Sequence, residues 1–220
     1  MLESVSSARA GFTKEDLLFI ESLYKSTQPG AIRRLAQDPE SLQELLDQAE
    51  IRRALLESPV ALPVSPSLYF YTMVRHALLD ADLDHIGITD HIAGVLVNKL
   101  GRGGGNSDGP QFWATHAVDF IAQIREAHGL LKVHLEVAAG DQFLVLTGLF
   151  PDFIEKRSER SGAPGVEFYD SFARQSYHHA SSNRALNAES RKLFGLLAEA
   201  FPIARQSLNR MRENELFLGA

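Results

Sequence analysis

His76, Asp80, Asp82, Asp84, His85, Asp90 and His91 place seven groups able to bind a metal or move a proton within sixteen positions. Asp80, Asp82 and Asp84 match the first three ligand positions of a calcium loop. His85, however, stands where that loop's sharp turn needs glycine, and His91 where it needs a bidentate glutamate. His76 and Asp80, four apart, share one face of a helix and are the remaining candidates for metal ligands. The plain alternative is that an aspartate-rich turn between helices is a solvated cap.

Asp141 is the second such group. It lies inside the most apolar stretch of the chain, Val133 to Pro151. A buried, unpaired carboxylate costs several kcal/mol or gives up its charge, so Asp141 requires a cation, several hydrogen-bond donors, or a use. Arg75 is the deepest cation by pattern, and its planar fork fits a carboxylate, so an Arg75–Asp141 ion pair between two central helices is expected. Gly140 and Gly148 would let those helices approach. The functional alternative is a pocket between them in which Asp141, His134, Arg75, His76 and Tyr177 hold a small polar ligand or a metal.

Other chemistries lack their residues. There is no Glu-x-x-His for a di-iron bundle and no Gly-x-Ser-x-Gly elbow. Asp90-His91 shows the reverse order of a hydrolase dyad. GRGGGNSDGP (Gly101 to Pro110) could cradle a phosphate, but it lacks the following Lys-Ser/Thr and a preceding strand, so it reads as a flexible loop. Without any cysteine, thiolate catalysis, disulfides and thiolate metal sites are excluded. No cofactor is implied.

The segments SPSLYFYTMVRHAL, AAGDQFLVLTGLFPDF and YDSFARQSYHHAS together resemble a family of uncharacterised bacterial all-helical proteins. That family has an aromatic helix ending in Arg, a Gly-Asp helix leading to Gly-x-Phe-Pro, and a Tyr-rich helix after it. The matching positions are Arg75, Gly140, Asp141, Gly148, Phe150, Pro151 and Tyr177. The resemblance implies an all-helical fold and no particular substrate.

The elements that must position these residues are helices throughout. Apolar residues recur at helical spacing and no segment sustains the alternation of a strand, which predicts an all-α, single-domain bundle of about nine helices without a sheet. Thr13 caps a first helix to about Ser26. Asp38-Pro39 opens a helix carrying Leu42, Leu45, Leu46, Leu55 and Leu56, and Pro66 or Ser67 opens the Arg75 helix. Thr89 and Asp90 open the next, Pro151 begins a charged continuation of the Asp141 helix, and Asn187 caps a long last helix bent at Pro202. Residues 1–12 read as a disordered leader and 13–220 as one domain.

With 220 residues, 45 % of them hydrophobic, the chain is long enough for one substantial core. The net charge of -6 argues against general nucleic-acid binding, and Arg33-Arg34, the only basic pair of GAIRRLAQDPESLQELL, keeps a DNA-binding regulator that uses this segment in view. No apolar run reaches a membrane span and no secretory signal opens the chain, so a cytoplasmic location is expected. Leu216, Phe217 and Leu218 form an apolar tail that should dock on this subunit or a neighbour. The leading expectation is therefore a noncatalytic cytoplasmic protein acting through association with itself or another protein, as in a homodimer. The alternative is a metal-dependent or small-ligand-binding enzyme with its pocket between the central helices.

Overall fold

The computed structural model describes residues 5–24, 30, 34, 38–57, 64–100 and 117–215. Leu216, Phe217, Leu218, Arg33 and the glycine-rich stretch 101–110 lie outside them. The described residues form ten α-helices and one 3-10 turn, with no strand among them. The all-α expectation holds. In chain order they are the 3-10 turn Arg9–Gly11, α1 Lys14–Leu23, α2 Pro39–Leu46, α3 Ala49–Glu57, α4 Pro66–Leu79, α5 Ile86–Leu100, α6 Ala117–Glu126, α7 Gly129–Leu149, α8 Pro151–Ser161, α9 Val166–Ser182 and α10 Ala188–Asn214.

Local chemistry sets the ends. Thr13, Asp38, Ser65 and Asn187 each accept a backbone N–H of the following turn, so four helices begin on the side chain suited to begin them. Thr13 and Asp16 form a reciprocal capping box, but Asp16 does more than cap. It is fully buried, and its two oxygens also accept from Ser65 N and Ser65 Oγ, each at 2.6 Å, tying α1 to the start of α4. Gly162 ends α8 in the left-handed conformation (φ 64°), where a side chain would be strained. The helix expected from Pro39 to Leu56 is interrupted at Asp47, which caps α2, and resumes as α3.

The core centres on α7, which packs most extensively on α9 and α10. α7 and α9 run antiparallel, since Glu136, Gly140, Phe143 and Thr147 meet His179, Tyr177, Phe172 and Asp170 in reversed order. Gly140 makes this approach possible: a Cβ there would lie 2.6 Å from Tyr177 Cε1. Gly148 does the same for Leu208 of α10, whose Cβ would be 2.9 Å away. Both glycines thus admit α9 and α10 rather than α4. At Phe150, α8 turns away from α7 by 92°, and no single described helix is long and apolar enough to cross a membrane.

α10 contains Pro202, which has no N–H for the carbonyl of Ala198 one turn earlier. Arg174 of α9 supplies the donor instead, its Nε standing 3.3 Å from Ala198 O. An inter-helix bond therefore replaces the lost intrahelical one. Beside it runs an open groove lined by Ser171, Arg174, Gln175, His178, Ala198 and Glu199.

Residues 5–12 correct the expectation of a disordered leader. They lie along α4 and α5 as a strap: Ala8 N donates to Asp90 O, and Gly11 abuts Ser67.

Candidate functional site

Asp141 and Arg75 do not pair. α4 packs on α5, α10 and α3 while α7 packs on α9 and α10, so the helices that carry Arg75 and Asp141 are separated by the others rather than facing each other. Hydropathy ranks burial depth but carries no information on which buried helix is the neighbour. The five residues expected to share one pocket accordingly fall into different places.

Arg75 is buried and forks onto Asp47, Nε to Oδ1 at 2.7 Å and Nη2 to Oδ2 at 2.8 Å. Its Nη1 stands 2.8 Å from Asp84 Oδ1, close enough for an ion pair though out of line for a hydrogen bond. The network continues from Asp47 Oδ1 through Gln43 Nε2 (2.7 Å) to Tyr71 OH, which donates to Gln43 Oε1 at 2.5 Å. Burial pushes the Tyr71 hydroxyl up to about 12. Burial alone would raise Asp47, but the Arg75 guanidinium outweighs it and holds the carboxyl below its usual range. This cluster joins α2 to α4 and to the turn before α5.

His76 sits beside that cluster, also buried, its Nε2 without a hydrogen-bond partner among the described residues. Burial and the nearby Arg52 lower its pKa, favouring the neutral ring. Asp80, its expected co-ligand, is instead taken by Arg52 Nη1 at 3.2 Å, and Arg52 Nη2 reaches Glu215. Among the described residues no group of three or more His, Asp or Glu converges as metal ligands would. His134 is exposed. Seven residues restore the same helical face but lie about 10.5 Å along the axis, near the end of α9 rather than beneath it.

Asp141 is satisfied by donors. His91 Nε2 lies 2.9 Å from its Oδ1, and Tyr177 OH donates to the same oxygen at 2.8 Å. The carboxyl side chain is 13 % exposed and the imidazole is 0 % exposed. His91 Nδ1 accepts the backbone N–H of Ser6 at 3.1 Å, which requires the ring proton to sit on Nε2 and point at Asp141. Of the expected pocket, only Tyr177 is brought to Asp141, and His91 is the partner that sequence reasoning misses. The signal available is Asp90-His91, whose order resembles no hydrolase yet whose imidazole falls on the buried face of α5.

Tyr177 is wholly buried, stacked on Phe194 with ring centroids 6.0 Å apart and planes 9° from parallel. Burial, and then the Asp141 charge, hold its hydroxyl well above the usual tyrosine range, so the phenol keeps its proton. Lys99, two turns beyond His91 on α5, donates to Gln142 Oε1 at 2.7 Å. Burial lowers its pKa against the opposing pull of the Asp141 carboxylate.

This arrangement differs from a catalytic dyad in one decisive respect. A base working through a histidine needs one ring nitrogen held by a carboxylate and the other facing a nucleophile or substrate. Here the second nitrogen is taken by a main-chain amide of the strap, and the phenol that completes the cluster is locked as a donor. The cluster joins α5, α7, α9 and the strap at one oxygen-centred point. Comparison with protein families, with curated proteins and with solved structures finds no match to this chain.

Proposed function

We propose that the chain is a noncatalytic, cytoplasmic helical protein that acts by associating with a second copy of itself. The observation that carries this reading is an aromatic ladder that runs from the core to the surface across α6, α7 and α9. Phe120 meets Phe143 at 5.7 Å, Phe143 meets Phe172 at 5.5 Å, and Phe172 stacks on Phe168 at 6.4 Å and 13°. Phe168, the outermost, is 41 % exposed. Exposed aromatic groups backed by a rigid apolar cluster suit the centre of a protein contact, where they bury area at low conformational cost. The engaged state of His91, Tyr177 and Arg75 supports a structural use of the groups best equipped for chemistry.

The test is light scattering coupled to size exclusion, from about 1 to 100 μM, on the full chain and on Phe168→Glu. The reading expects a mass above that of one chain that rises with concentration, and a shift to the monomer in the variant. A monomer throughout, or an assembly indifferent to the charge at 168, refutes it.

A further inference from the structure

We propose that the N-terminal strap is a latch on α5 whose Ser6 end is released when His91 takes up a second proton. α5 holds the strap at two places. Asp90 holds its middle: Ser7 Oγ donates to Oδ2 at 2.7 Å, Arg9 N donates to Oδ1 at 2.8 Å, and Ala8 N donates to the Asp90 carbonyl at 3.3 Å. His91 holds its start through one bond, Ser6 N–H to Nδ1. That bond exists only while Nδ1 offers a lone pair, so a second ring proton converts acceptor to donor and sets two N–H groups against each other.

The surroundings allow the protonated ring to stay where it is. α7 presents Asp141 to Nε2, which remains the counter-charge, and α9 presents the Tyr177 hydroxyl on that same carboxylate. α10 contributes the Phe194 ring, edge-on at 5.6 Å. On the strap side the charges are Asp90 of α5 and Arg9, whose Nε is 3.8 Å from Asp90, and beyond Asp141 lies the Lys99 ammonium. The imidazolium thus keeps one favourable partner and loses one, and the loss falls entirely on Ser6. Gly94 makes the latch fit closely, because a Cβ there would lie 2.8 Å from Ser7 N and 2.9 Å from Ser6 Cβ. Release of Ser6 uncovers that glycine floor beside His91 while Asp90 keeps the rest of the strap attached.

The experiment is backbone 15N relaxation on the full chain at pH 7.5 and 5.0, both above the ordinary range of aspartate titration, with the imidazole shifts of His91 followed in parallel. The order parameter at Ser6 is expected to fall from about 0.85 to below about 0.6 as His91 protonates, while Arg9 stays rigid. His91→Asn keeps an acceptor for Ser6 without a titratable ring, and its strap should stay rigid at both pH values. Ser6→Pro removes the N–H that His91 accepts, and its strap start, read at the neighbouring Val5 amide, should be mobile at both, which preserves the test if the buried variant fails to fold. A rigid Ser6 beside a protonated ring overturns the proposal. So does a ring that stays neutral at pH 5.0, loosening in His91→Asn equal to wild type, or a pH response retained in Ser6→Pro.

Discussion

Gly140→Ala is the sharpest test of how α7 and α9 are held together. The added Cβ would lie 2.6 Å from Tyr177 Cε1 and 2.8 Å from both Cδ1 and Cζ, where carbon atoms prefer about 3.5–4.0 Å. The ring must therefore retreat by about 1 Å, and it is wholly buried against Phe194 and Phe201. Such a retreat also draws the hydroxyl away from Asp141, to which it now donates at 2.8 Å. Overpacking of this kind costs about 1–3 kcal/mol, and a hydrogen bond to a charged group contributes about 1.5–3 kcal/mol. Alanine in place of a mid-helix glycine returns about 1 kcal/mol. Because the two losses share one cause and do not add fully, the expected net loss is about 2–4 kcal/mol, or about 5–15 °C in Tm for a chain of this size. Urea unfolding followed by far-UV circular dichroism at pH 7.5 measures it. Gly195→Ala is the control, since its nearest neighbour would be 3.8 Å away, and it should gain about 0.5–1 kcal/mol from helix propensity alone. A Gly140→Ala protein as stable as wild type would show that the close approach at Tyr177 is not what sets the α7–α9 packing.

Two further predictions concern buried groups elsewhere. Glu136 is buried, with Oε2 lacking a hydrogen-bond partner among the described residues, and burial raises its pKa against the opposing pull of Lys132. A carboxyl whose folded pKa exceeds its unfolded value stabilises fully below the unfolded pKa, near 4.3 for glutamate, and loses that contribution as pH rises through the folded pKa. Glu136→Gln should therefore be more stable than wild type at pH 7, with the advantage fading by pH 4, and a pH-independent difference in urea midpoints would contradict it. At the kink, Arg174→Ala leaves Ala198 O without its donor and should cost about 1 kcal/mol. In a Pro202→Ala background, where the new alanine supplies the N–H, the same change should cost almost nothing, so a double-mutant cycle with no coupling would refute the substitution of one bond for the other.

The correspondence between sequence and structure divides along the range of the interactions involved. Helix starts at Thr13, Asp38 and Asn187 are readable because a cap is a bond between residues three apart, present whatever the rest of the chain does. The break at Asp47 is not readable, since the leucines before and after it keep helical spacing and the interruption follows from a side chain recruited by Arg75, 28 residues on. Residues 5–12 contain too few large apolar groups to predict packing, and they are held by main-chain amides on Asp90 and His91, a kind of contact that leaves no compositional mark. The need of Asp141 for partners is legible, as is the nearness of Tyr177, yet charge and apolar setting are the available criteria and they favour Arg75 over His91.

By itself, then, the sequence determined the all-helical class, the caps at Thr13, Asp38 and Asn187, the glycines where backbones approach, and the need for Asp141 to be satisfied, because each follows from spacing within a few residues or from the cost of burying a charge. Which helix lies beside which was decided by the tertiary packing alone. That order gave Arg75 to Asp47 and Asp84, gave Asp141 to His91 and Tyr177, and closed the second nitrogen of His91 with the strap. A carboxylate states how many partners it requires, and only the arrangement of helices in space decides who they are.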